Sequence, residues 1–158
     1  MAVPVEPFSY QLWFTVRYVH VASVALLTGG AMTVCATWLL YRAVPGHQLR
    51  CGLASAYEWA FWSFAGVTVA TGISNLGLKG DGLLGPETTW GTALLVKLIA
   101  VLLLMTLSLV RTDLVVRCRN LTRAGARVHA VLATLYGLTV LTLLGTLWIG
   151  LGLAHGRY

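Results

Sequence analysis

Four long stretches of this chain are almost free of ionised side chains, and no other feature restricts its fold as much. Tyr18 to Tyr41, Trp59 to Leu78 and Val128 to Gly156 contain no Lys, Arg, Asp or Glu, and Thr88 to Val110 contains only Lys97. The hydrocarbon of a bilayer, about 30 Å thick, calls for roughly 20 apolar residues per helix. Each stretch is long enough to cross once. The alternation expected of a β-barrel strand is absent, and with 158 residues, 10% of them charged, and a mean hydropathy of +0.79, no length remains for a second domain. The expected fold is all-α: one integral membrane domain over residues 1–158, a four-helix bundle with helices at about 10–41, 58–78, 88–111 and 127–154.

Orientation follows from the bases. Arg42 and Arg50 fall in the first connection, and Arg111, Arg117, Arg119, Arg123 and Arg127 in the third, so seven of the eleven Lys and Arg residues gather on one side. The second connection sets Lys79 against Asp81 and Glu87, and the N-terminal arm carries Glu6. The positive-inside rule then puts both termini on the periplasmic side of a bacterial inner membrane, which the chain crosses several times. A net charge of +6 is therefore a matter of insertion and anionic headgroups, not of nucleic acid. Met1 to Tyr10 contains no base, and the N-terminus reads as retained, not as a signal peptide. Cys35, Cys51 and Cys118 form no CxxC pair, and two of them fall on the reducing side, so free thiols are expected.

Helices in lipid associate where small residues let backbones approach, which points to rows of Ala25, Gly29 and Thr33 on the first helix and Gly66, Ala70 and Ser74 on the second. The fourth offers Gly137, Gly145, Gly150 and Gly152. Trp13, Trp90 and Trp148 near outer ends, and Trp38, Trp59 and Trp62 near inner ends, read as interfacial anchors.

Ionisable groups inside the apolar stretches are costly and so become candidates for chemistry. His20 and Lys97 sit at comparable depth, roughly 10 to 15 Å from the outer ends of helices one and three at about 1.5 Å per residue. The bland alternatives are a hydrogen-bonded neutral histidine and a lysine that snorkels outward. Arg17, one turn before His20, suits an anionic ligand group or an interfacial anchor, and Asn75 adds an amide at similar depth. His155 reads as a surface residue at the outer end of helix four. On the inner side, Glu58 and His129 lie at matching depth and are expected to form an interfacial polar pair. Met32, Cys35 and Met105 are the soft ligands that a copper site would draw on, although such residues more often serve packing.

Arg17-Tyr-Val-His20 followed by Gly29-Gly30-Ala-Met resembles the first helix of the CopD (copper-resistance D) membrane family. Ala70-Thr71-Gly72 with Ser74-Asn75, then Trp90-Gly91 leading into Leu94-Leu95-Val96-Lys97-Leu98, is similar to that family's run from its ATG turn to its LLVKL helix. The same His and Lys also resemble the related HemJ-type four-helix proteins, whose Asn-Glu-x-Pro-like element this chain lacks. The resemblance implies haem b between helices one and three, with His20 and Lys97 as axial ligands and Arg17 and Asn75 beside it. The implied role is electron transfer or a membrane redox reaction, in the manner of a haem-dependent oxidoreductase. Copper transport or resistance is the alternative, and a cofactor-free accessory subunit is a third. Expected partners are the lipid bilayer and a redox partner or larger membrane complex, with homo-oligomerisation left open.

Overall fold

The computed structural model describes residues 7–40, 46–78, 85, 87–120 and 126–154. Four helices account for nearly all of them: α1 (Pro7–Leu39), α2 (His47–Leu78), α3 (Thr89–Arg119) and α4 (Ala126–Ala154). Lys79, Asp81, Arg42, Arg123 and His155, on which parts of the sequence reading rest, lie outside the described residues.

The helices run up, down, up, down. His20 meets Thr68 and Thr71 while Tyr57 meets Leu27, so α1 and α2 are antiparallel. Glu58 with Arg111 and Cys51 with Cys118 set α2 against α3, and Lys97 beside Gly150 with Arg111 on Thr139 sets α3 against α4. Packing closes into a ring of α1, α2, α3 and α4; among the described residues, the backbones of α1 and α3 do not approach closely and the two helices stand on the diagonal.

The helices extend beyond the apolar stretches that announce them. α2 begins at His47, not near residue 58, and α3 continues to Arg119, not 111. Charge ends a membrane span but not a helix, because Arg and Gln are good helix formers. Gly46 supplies the positive φ of 92° from which α2 starts, and the Thr88 side chain caps α3 by accepting from the Gly91 amide at 3.0 Å. Arg111 is the consequential correction. It belongs not to the third connection but to the body of α3, with no exposed surface.

Three helices are long and apolar enough to cross a bilayer: α1 from Tyr10, α3 throughout, and α4 from Arg127 to Leu153. They mark the chain as a membrane protein. Leu102, Leu103 and Leu141, each more than 60% exposed, suit acyl chains and not water. α2 falls short of that apolarity, since Gly, Ser, Thr and Asn dilute its Val, Ile and Phe.

The rows of small residues on α1 and α2 do not make the helix contacts, whereas Gly150 of α4 does meet Lys97. Ala25, Gly29, Thr33, Gly66, Ala70 and Ser74 are all exposed, and a Cβ on Gly29 or Gly66 would meet nothing within 4 Å. The packing face of α1 is instead Leu27, Ala31, Val34 and Trp38, set against Ala54, Tyr57 and Phe61 of α2. Trp38, expected as an anchor, is in the core with 1% exposure, whereas Trp59 and Trp148 are exposed as anchors should be.

Gly30 is the glycine that the packing requires. A Cβ there would lie 2.7 and 2.8 Å from Tyr57 Cε2 and Cδ2. That ring cannot retreat: its hydroxyl donates to the Leu27 carbonyl at 3.0 Å and its faces meet Phe61 and Tyr136. Gly30→Ala should therefore destabilise the bundle by about 1–3 kcal/mol, while Gly29→Ala should be neutral. Thermal unfolding of both variants in detergent checks this, and equal melting temperatures would contradict it.

Candidate functional site

The outer half of the bundle holds the residues singled out from sequence. On α2, Thr68, Thr71, Gly72 and Asn75 recur at three- and four-residue spacing and so share one face. His20 of α1 packs onto that face. Its Nδ1 lies 3.0 Å from the Thr68 carbonyl and 3.0 Å from Thr71 Oγ1, and the small Gly72 admits the ring, since a Cβ there would already be 3.4 Å from Cε1. A carbonyl can only accept, so Nδ1 carries the hydrogen and Nε2 keeps its lone pair. The same arrangement fixes the tautomer of metal-binding histidines, whose second nitrogen donates to a carbonyl or carboxylate.

Lys97 reaches the same level from the opposite corner. Its Nζ stands 3.0 Å from where a Cβ on Gly150 of α4 would be, so the glycine makes room for the amine. Lys97 is half-buried, and among the described residues it has no carboxylate or hydrogen-bond partner. Arg17 lies one turn outward from His20 with its guanidinium over the Trp13 ring, 5.2 Å from the centroid. Asn75 is half-buried one turn outward on the facing helix. The four residues therefore occupy one end of the bundle, where α2 leaves Val69, Ala70 and Ile73 exposed.

The inner half differs from the sequence reading. Glu58 does not pair with His129. It accepts from Arg111 Nε at 2.7 Å and Nη2 at 3.1 Å, from the Tyr136 hydroxyl at 2.7 Å and from Thr112 Oγ1 at 2.7 Å. Arg111 Nη1 donates to Thr139 at 2.6 Å, and its guanidinium lies against the rings of Tyr57, Phe61 and Tyr136. A carboxylate sunk this far from water needs a full set of donors, and only an arginine supplies two in one plane. His129 instead sits with Arg50, 3.4 Å from its Nη2, and against the Trp38 ring.

Of the three sulfurs that a copper site would draw on, Cys35 and Met105 are half-buried against the core and Met32 is exposed. Met32 is 53% exposed, facing away from the bundle, and Cys35 Sγ lies 3.7 Å from the Ala133 carbonyl of α4. Cys51 and Cys118 do meet, and both are buried beside His47. All three cysteines are free thiols. No protein-family profile matches the chain, and neither a curated protein nor a solved structure shows significant similarity to it.

Proposed function

We propose that the chain is a CopD/HemJ-like protein of the bacterial inner membrane that binds haem b between α1 and α3 and serves electron transfer near the periplasmic face. The observation that carries this reading is the His20 side chain: Nδ1 is committed to Thr68, and Nε2 is left as a ligand nitrogen. Lys97 stands on α3, a half-buried amine with no carboxylate partner among the described residues. Arg17 supplies a cation one turn outward for a propionate, and Asn75 an amide at the same level. Haem held there supplies a one-electron couple. The residues of this chain orient it, exclude water from the iron through α1 and α2, and neutralise its carboxylates.

Under the same reading α2 crosses the membrane despite its modest apolarity, because it lies against α1 along both its inner and outer halves. Both chain termini then face the periplasm, in keeping with the bases near the other end. Purified protein, expressed with ample haem, should show a Soret band, and on dithionite reduction the α and β bands of a b-type centre. A colourless preparation would rule the reading out. Copper handling through Met32, Cys35 and Met105 is less well served, since Met32 points to lipid.

A further inference from the structure

We propose that His47, Cys51 and Cys118 bind a thiophilic d10 cation, Zn2+ or Cu+, at the inner end of the α2–α3 pair, remote from His20 and Lys97. Three donor atoms, one from each residue, lie within 4.8 Å of one another, and both cysteines are buried with 1% exposure. His47 and Cys51 are one turn apart on α2, and Cys118 comes from the last turn of α3, so the site ties two helices together. Neither the charge pattern nor the spacing along the chain announces it, because 67 residues separate the two sulfurs.

The Cys118 carbonyl can only accept, so Nε2, 3.2 Å from it, is the donor nitrogen of a neutral His47 and Nδ1 the one that would turn to a cation; Cys51 Sγ lies 3.7 Å from both ring nitrogens. The hydrogen bond to the main chain of a ligand residue orients the imidazole as in established zinc sites. Two thiols 2.8 Å apart form a poor hydrogen-bonded pair but a good soft chelate. With bonds of about 2.3 Å and tetrahedral angles the sulfurs would stand roughly 3.8 Å apart, an opening of about 1 Å that side-chain rotation supplies.

Access and charge agree. A cavity of about 430 Å3, lined by His47, Gln48, Cys51, Gly52, Ser55 and Arg119, adjoins the ligands. It gives an entry path and room for a fourth ligand such as water. Binding releases two thiol protons per cation. Zn2+ with two thiolates and a neutral imidazole is electrically neutral, and Cu+ leaves one negative charge beside Arg50 and Arg119. Two thiolates and one imidazole suit either cation, and they exclude the hard ions Mg2+ and Ca2+, which take oxygen.

The test uses the full chain in detergent, reduced and stripped with chelator. It is loaded with Zn2+ in one arm and anaerobic Cu+ in the other, then gel-filtered and analysed for metal. About one cation per chain should be retained in at least one arm, and competition with a chromophoric chelator for each ion identifies which binds more tightly. Cys51→Ser and Cys118→Ser should each lose the metal and His47→Ala should bind it more weakly, whereas His20→Ala and Lys97→Met should retain it. The outcome is thus independent of haem. Because a serine variant can fail to fold, wild-type protein is also loaded with Co2+. A thiolate-to-cobalt charge-transfer band, removed by EDTA, should appear in the difference spectrum. No retained metal in either arm together with no cobalt band, or full retention by Cys51→Ser/Cys118→Ser, would overturn the assignment.

Discussion

Arg111→Met, with Glu58 left in place, should destabilise the protein by about 3–5 kcal/mol, because it strands a carboxylate in a site closed to water. Glu58 would keep Tyr136 and Thr112 as donors but lose both guanidinium bonds and the neutralising charge. Glu58→Gln should cost less than Arg111→Met, since the amide still accepts from Tyr136 but leaves Arg111 with Thr139 and three aromatic faces alone. The informative variant is the double one. Glu58→Leu with Arg111→Met removes both charges and should recover most of the loss, because a buried ion pair contributes little beyond a well-packed apolar pair. A thermal-unfolding cycle of wild type, Arg111→Met, Glu58→Leu and the double variant in one detergent measures the coupling. If Arg111→Met melts with the wild type, the network is not the inner-half core it is taken to be.

His20→Ala should abolish the haem spectrum, a larger functional effect than any other single substitution near the outer end. Truncation leaves Thr68 and Thr71 with a void and supplies no other imidazole among the described residues of that half. Lys97→Met should behave differently: haem stays bound through His20, but spin state or potential changes as the second axial position is lost. An unchanged low-spin spectrum in His20→Ala would place the iron elsewhere, and an unchanged one in Lys97→Met would return the lysine to snorkelling along its stem. Glu58→Gln gives the spatial control. Glu58 is at least ten residues inward along α2 from Thr68, roughly 15 Å at about 1.5 Å per residue, so any folded Glu58→Gln protein should keep its haem.

The outer residues were legible in the sequence and much of the inner network was not, for one physical reason. His20 and Lys97 interrupt long apolar stretches, and a polar group in lipid is conspicuous by contrast. Arg111 sits next to the boundary where an apolar run gives way to bases, so it reads as one more inner-side arginine. Only its burial reveals the partnership with Glu58, a residue 53 positions away. Cys51 and Cys118 were likewise seen as separate loop thiols, because no local spacing joins them.

By itself the amino-acid sequence determined that the chain is helical, that it divides into four helices with short connections, and that it belongs in lipid. These follow from the length of apolar runs and from the demand that backbone amides be satisfied within each segment. Tertiary structure alone decided which face of each helix turns inward. In a chain that is apolar on every side, hydrophobicity does not distinguish a core face from a lipid face, so the small-residue rows of α1 and α2 lie outside while Trp38 and Tyr57 lie within. Polar pairing makes that choice: the bond from Tyr57 to Leu27, the donors around Glu58 and the carbonyl that receives His20 are each satisfied in one rotation of the helices, and lipid offers no substitute partner.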